Sequence, residues 1–311
     1  MNKNTHDLIV VLGPTASGKT GFAACLAYDL DGEVISADSR QVYKRMDLGT
    51  GKDYGDYIVN GKKIPAHLID IHEPGYKYNV YEYQKDFLDV YRDIHNRNKQ
   101  PILCGGTGMY IEAVLKGYKL LPVSPDHSFR AELEHYDHEE LKVMLRSMST
   151  SLHNTTDLTS KKRTIRAIEI AKYYKENPDL DMDFPAINPF IFGISFERTI
   201  QRQRITERLK QRLEEGMVEE VQSLINEGTP VDDLVYYGLE YKYLALYVKG
   251  ELSYDEMFRQ LNTAIHQFAK RQMTWFRKME RNGTKIHWLK GEWPMEEKLS
   301  RAYELLNDQE N

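Results

Sequence analysis

Along most of the chain, short apolar runs alternate with longer stretches of helical spacing. Leu8-Ile9-Val10-Val11-Leu12 suits a buried parallel strand, and residues 21–30 follow it as a helix. Gly32-Glu33-Val34-Ile35-Ser36, Ala66-His67-Leu68-Ile69-Asp70-Ile71, Pro101-Ile102-Leu103-Cys104 and Phe190-Ile191-Phe192-Gly193-Ile194-Ser195 read as further strands. Lys285-Ile286-His287-Trp288-Leu289 reads as a short edge strand. Residues 81–96 place Phe87, Leu88, Tyr91 and Ile94 on one helical face, and 199–213 form a long helix. Residues 296–311 are a terminal helix or a frayed end. From 121 to 189 strands vanish and helical spacing takes over, which marks an inserted helical domain at 122–189 within a core of 1–121 and 190–311.

The turn after the first strand, Gly13-Pro14-Thr15-Ala16-Ser17-Gly18-Lys19-Thr20, has the spacing of a phosphate-binding loop in the required strand–turn–helix order. Its glycines let backbone N–H groups wrap a phosphate, Lys19 adds a mobile positive charge, and Thr20 offers a hydroxyl to a phosphate-bound Mg²⁺. The expected fold is therefore α/β, a phosphate-loop NTPase-like parallel sheet flanked by helices with an all-helical insert. Ligands in such sheets bind beyond the carboxyl ends of the strands. Asp38 follows the second strand there, as a proton acceptor, a water-mediated Mg²⁺ ligand or simply a helix cap. Gly105-Gly106-Thr107-Gly108-Met109-Tyr110 brings a second glycine turn to the same edge, where Thr107 can hydrogen-bond a base or an anion. Asp47-Leu48-Gly49-Thr50-Gly51-Lys52 reads as a mobile loop near the site and lacks the first glycine of a second phosphate loop. On the 199–213 helix, Arg204 and Arg208 share a face by the four-residue rule and can grip a diphosphate or enter ordinary salt bridges.

Composition narrows the partners. The 311 residues carry 42 Lys and Arg against 47 Asp and Glu, a net charge of −5, so any nucleic-acid contact must come from a local patch. Lys162, Arg163 and Arg166 start one helix, and Phe268-Ala269-Lys270-Arg271-Gln272-Met273-Thr274-Trp275-Phe276-Arg277-Lys278 interleaves cations with aromatics on another. Both fit an RNA surface, but a solvated helix face is the simpler reading of the first and at least as good a reading of the second. The five tyrosines of 236–247 stack on bases or pack in the core, with packing the simpler outcome. His67 and His72 flank a strand end and read as structural, and His135 with His138 lacks a convincing third metal ligand. Cys25 and Cys104 are the only cysteines, which argues against a disulfide framework. The start runs directly into the first strand without a charged-then-apolar leader, and no apolar run approaches spanning length, so a cytoplasmic protein with no membrane partner is expected.

Taken together, the phosphate loop, Asp38-Ser39-Arg40-Gln41-Val42-Tyr43, His67-Leu68-Ile69-Asp70, the second glycine turn, the Arg163 helix and Ala269-Lys270-Arg271-Gln272-Met273-Thr274-Trp275 resemble the bacterial tRNA dimethylallyltransferases, or tRNA isopentenyltransferases. The likeness runs in order from residue 8 to about 289. It implies transfer of a dimethylallyl group from dimethylallyl diphosphate to N6 of the adenosine 3′ of the tRNA anticodon, with diphosphate released, by a monomer using Mg²⁺. By the resemblance, Asp38 is the base and Thr107 its neighbour. Gly13, Thr15, Ala16, Ser17, Gly18, Lys19, Thr20 and Arg208 hold the diphosphate, with Thr20 on the metal. Asp38, Ser39, Arg40, Gln41, Thr107, Arg130, Lys162, Arg163, Thr164, Ile165, Arg166 and Arg271 touch the tRNA. The chain departs from the family where Tyr237-Gly238-Leu239-Glu240-Tyr241-Lys242 replaces an Ile/Val-Gly-Tyr-Lys/Arg run, and at His153-Asn154-Thr155-Thr156-Asp157. Three rival readings use the same loop: an ATP-binding nucleotide or small-molecule kinase, a prenyltransferase of free adenine nucleotides, and a non-catalytic RNA-binding protein.

Overall fold

Five consecutive apolar side chains leave no polar face for water, so β1 (Leu8–Leu12) is a strand buried on both sides. In the computed structural model, which describes residues 6–148, 158–178 and 184–308, β1 sits inside a six-stranded sheet. The remaining strands are β2 (Gly32–Ala37), the two-residue pieces β3 (Ile58–Val59), β4 (Lys62–Lys63) and β5 (Ala66–His67), then β6 (Gln100–Gly105), β7 (Pro189–Ser195) and β8 (His287–Lys290). The sheet runs β5-β2-β6-β1-β7-β8 with every pairing parallel, while β3 and β4 form a separate antiparallel hairpin. The fold is P-loop NTPase-like, as the spacing of strands and helices implies.

Register decides where the site lies. Leu12 is opposite Gly105 and Gly193, and Gly105 is opposite Ala37. The carboxyl ends of β1, β2 and β6 are therefore level, and the loops that leave them rise from one edge. Below that edge Ile9, Val11, Phe22, Val34, Ile102 and Phe192 form the core, with the Phe22 and Phe192 rings edge to face at 5.8 Å.

The helices follow in chain order: α1 (Lys19–Asp29), α2 (Val80–Asn96) and α3 (Gly108–Leu115), then α4 (His127–Leu133), α5 (His138–Met148) and α6 (Lys161–Glu176). After β7 come α7 (Arg198–Glu214), α8 (Met217–Asn226), α9 (Val231–Tyr237), α10 (Leu239–Val248), α11 (Tyr254–Arg281) and α12 (Met295–Asn307). Asn79 with Glu82 and Ser253 with Glu256 close capping boxes that start α2 and α11. The chain divides into one unit of 1–117 with 186–311 and a second of 118–185. The sequence-based bounds of 122 and 189 lie further along. Asn188 already exchanges hydrogen bonds with Asp7, its N–H reaching Oδ2 at 3.0 Å, so the chain is tied back to the sheet unit before 190. The second unit has its own core of Leu133, Leu141, Leu145, Ile165 and Ile168. The 153–157 departure lies outside the described residues. No helix among the described residues is long and apolar enough to cross a membrane.

Two local expectations change. The strand read at 66–71 stops after His67, because Leu68 and Asp70 take left-handed backbone (φ 60 and 56). The 47–52 loop is anchored. The Glu220 carboxylate accepts the N–H groups of Asp47, Leu48 and Gly49 at 2.8, 2.8 and 3.1 Å, and the Tyr241 hydroxyl at 2.6 Å. Buried Lys52 donates to the Tyr43 carbonyl at 2.5 Å, to Asp47 at 2.8 Å and to Asp70.

Candidate active site

The phosphate loop turns sharply at Gly18, whose φ of 75 a side chain would oppose, and α1 begins at the next residue. Its outer wall is fastened from two distant helices. Gln272 on α11 accepts the Thr15 N–H at 2.9 Å through Oε1 and donates to the Gly106 carbonyl at 3.0 Å through Nε2, so one amide staples the phosphate loop to the second glycine turn. On α7, Gln201 donates to the Thr15 carbonyl at 2.5 Å and Arg204 to the Ala16 carbonyl at 3.1 Å. Lys19 lies at the start of α1, its ammonium 3.4 Å from the Pro14 carbonyl. Burial lowers the Lys19 pKa, against the attraction of Asp38 and Asp53.

Asp38 stands one residue beyond β2 and is half-buried. No helix follows it, so it is not a helix cap. Its Oδ1 accepts the Arg40 N–H at 2.9 Å in a tight local turn. Across the edge Thr107 Oγ1 accepts the Ser39 N–H at 3.1 Å and lies 3.5 Å from the Ser39 hydroxyl. Gln41 accepts the Ser36 hydroxyl at 3.1 Å and donates to the Gly51 carbonyl at 3.1 Å, which braces this turn. The Arg40 guanidinium lies over the Tyr236 ring, 5.5 Å from its centre. Of the tyrosine run, Tyr237 and Tyr241 are core residues and Tyr236 is exposed.

Arg208 meets a different partner from the one its spacing suggests. Arg204 is committed to the loop carbonyl and to the Phe196 ring, 4.4 Å away. Arg208 instead converges with Arg212, one turn further along α7, on the Asp53 carboxylate. Both guanidiniums line a pocket on the α7 side of the loop with Thr15, Ala16 and Glu240, where Asp38 and Thr107 take no part. Burial raises the Glu240 carboxyl pKa and lowers that of Arg208.

In the second unit, Arg130 forks onto Glu169 at 3.1 and 2.7 Å, and Arg166 pairs with the same carboxylate while donating to the Val123 carbonyl at 2.7 Å. Two of the residues expected at the tRNA turn inward. Thr164 is fully buried and accepts or donates at 3.1 Å with His138, and Ile165 belongs to the apolar core, so neither side chain is offered to a ligand. Lys162 and Arg163 are exposed. Arg271 is exposed on α11 beside Phe268, 5.8 Å from the ring centre. His135 and His138 join no metal cluster among the described residues.

Sequence reasoning missed Arg212, Asp53, Gln201 and Gln272. Arg212 was reachable by the rule that paired Arg204 with Arg208. Gln272 was not, since 257 residues separate it from Thr15.

A glycine turn at the head of a helix, a carboxylate level with it and paired arginines beside it define a P-loop NTPase-like α/β protein with cations gathered around its glycine loop. Comparison with known proteins takes this further. The chain belongs to the IPP transferase family, whose match spans residues 41–279. It is 57% identical over 308 residues to a tRNA dimethylallyltransferase 2 of Bacteroides fragilis, covering 99% of this chain and 100% of that protein. It is 58% identical over 306 residues to a tRNA dimethylallyltransferase 1 of Parabacteroides distasonis, covering 98% and 99%. Among solved structures, the full-length tRNA isopentenylpyrophosphate transferase of Bacillus halodurans superposes with a TM-score of 0.71 at 31% identity, covering 97% of this chain and 95% of that one.

Proposed function

We propose that this protein transfers a dimethylallyl group from dimethylallyl diphosphate to N6 of the adenosine 3′ of the anticodon in tRNA, releasing diphosphate. One observation carries the reading: the sheet register brings the phosphate loop, Asp38 and Thr107 to a single edge, in a chain whose relatives are named tRNA dimethylallyltransferases.

The chemistry follows from the parts. The diphosphate settles on the loop amides, Lys19 and Arg208, which take up its charge as the allylic C–O bond breaks. Asp38 has Oδ1 engaged by the Arg40 N–H, and its Oδ2 has no hydrogen-bond partner among the described residues. That oxygen takes the proton from N6 as the amine's lone pair attacks the allylic carbon. Thr107, held by the Ser39 N–H, fixes the base edge beside it. The adenine must leave its stack to arrive there. Oxygen donors suit Mg²⁺, and no group of three or more His, Cys, Asp or Glu side chains able to hold a metal is found among the described residues. Such an ion would rest on the Thr20 hydroxyl and the substrate's own phosphates, as Mg²⁺ commonly does, and would neutralise the leaving group. Exposed Lys162, Arg163 and Arg271 supply RNA contacts that net charge does not.

The test is incubation with Mg²⁺, dimethylallyl diphosphate and unmodified tRNA, followed by mass analysis of the digested nucleosides. A dimethylallyl mass on adenosine is expected, lowered by about 10²–10⁴-fold in Asp38→Ala with tRNA binding retained. Phosphate transfer from ATP, or prenylation of free adenylate alone, would overturn the reading.

A further inference from the structure

We infer that Asp53 is a built-in stand-in for the diphosphate, occupying the paired guanidiniums of Arg208 and Arg212 until the substrate displaces it. This rests on the reading above that Arg208 holds the diphosphate. Two cations one helical turn apart repel unless an anion lies between them. Asp53 supplies it: Oδ1 accepts from Arg212 at 3.0 Å and Oδ2 from Arg208, so two oxygens of one planar group span two donors as a phosphate edge would. The pair is screened unevenly, Arg212 being 11% exposed and Asp53 44%.

The surrounding backbone does not have to move for the exchange. Glu220 and Lys52 pin residues 47–52, and Gly51, at φ 77, runs so close that an added Cβ would lie 2.8 Å from one Arg212 nitrogen. Asp53 follows this fixed stretch with its carboxylate at the solvent side. A turn of that side chain toward solvent would release both guanidiniums. A diphosphate arriving on them brings several negative charges beside Asp53, and the two anions exclude one another. Wild-type affinity for diphosphate is then reduced by the fraction of molecules in which Asp53 occupies the arginines.

A role for Asp53 in merely orienting the arginines predicts the opposite sign, because loss of the carboxylate would then weaken diphosphate binding. The experiment titrates inorganic pyrophosphate into the full-length wild type, Asp53→Asn, Asp53→Ala, Asp56→Asn and Arg208→Ala by calorimetry near neutral pH. Asp53→Asn and Asp53→Ala should tighten binding by about 3- to 10-fold. Asp56, in the same segment and without an ion pair to either arginine among the described residues, reports the bare effect of removing one charge and should give a change of less than about 2-fold. Weaker or unchanged binding in the Asp53 variants, or equal tightening in Asp56→Asn, overturns the inference and leaves the functional reading intact. Unchanged binding in Arg208→Ala overturns both the inference and the placement of the diphosphate. A thermal readout separates structure from competition: Asp53→Asn should melt below wild type when free and level with it in saturating pyrophosphate. A gap that persists in pyrophosphate also overturns the inference.

Discussion

Gln272 shows how much of this site depends on a residue with no chemistry of its own. Its amide satisfies a part-buried N–H on the phosphate loop and a buried carbonyl on the second glycine turn, and Gln272 is only 7% exposed. Gln272→Leu strands both backbone groups, at about 1–3 kcal/mol for the buried Gly106 carbonyl and less for the part-buried Thr15 N–H. Gln272→Glu is the sharper probe. An ionised carboxylate still accepts the Thr15 N–H but turns its second oxygen toward the Gly106 carbonyl, whereas the protonated acid can donate to that carbonyl. The introduced acid is therefore expected to have a raised pKa in the folded protein. A raised pKa on an acid favours folding as pH falls, so the variant should be destabilised by about 1–3 kcal/mol at neutral pH and approach wild type below about pH 4. Urea unfolding at several pH values checks this. A deficit that stays constant with pH would show that Gly106 is not opposed to the carboxylate.

Between elements, Glu33 plays the opposite electrostatic part. It sits in β2, where Arg97, just past the end of α2, and His67 of β5 converge on its carboxylate, His67 at 2.7 Å. The Arg97 hydrogen bond, against the upward push of burial and with help from His67, holds its pKa down to about 2. A depressed acid stabilises the fold above its unfolded pKa, near 4.5, and that contribution is lost as pH falls toward 2. Glu33→Gln should lose about 1–2 kcal/mol at neutral pH, discounted for the exposure of Arg97, with the difference from wild type closing between pH 4.5 and 2. The elements themselves were mostly legible in the chain, because parallel strands buried on both faces write continuous apolar runs, as in β1 and β7. What could not be read was how loops are fastened. The Asp47 loop looks loose by composition, and only the folded chain brings Glu220 to its amides from 173 residues away. The end of β5 was largely hidden, since left-handed Leu68 is an ordinary strand residue by type and only Asp70, a poor strand former, hints at the break. In α6 the sign was present. Helical periodicity that turns Ile168 inward turns Thr164 and Ile165 with it, which leaves Lys162 and Arg163 as the outward cations.

Over the whole molecule the charge balance is −5, so the field of the protein repels RNA on average and attraction must be local. The second unit shows how its cations are divided between structure and surface. Arg130 and Arg166 are spent on Glu169, whose carboxyl burial would raise but whose hydrogen bonds from Arg130, the Asp126 N–H and Arg166 hold below its ordinary pKa. Removing either arginine would therefore disturb the unit as well as any ligand. Lys162 and Arg163 are exposed at the start of α6, with Arg163 bound to the Thr159 hydroxyl at 3.1 Å and to its own cap. These two can be reversed in charge without touching the Leu141–Ile165–Ile168 core. In Lys162→Glu with Arg163→Glu, tRNA affinity should fall about 10- to 100-fold at moderate salt, with the slope of log affinity against log salt shallower by about 2, one unit for each phosphate no longer neutralised. Melting temperature and pyrophosphate affinity should stay at wild-type values, because neither the unit's core nor the phosphate loop has changed. Filter binding across a salt series, with calorimetry as the control, measures both. If tRNA affinity and its salt slope are unaltered, Lys162 and Arg163 form a solvated helix face, and the RNA is held by cations outside α6.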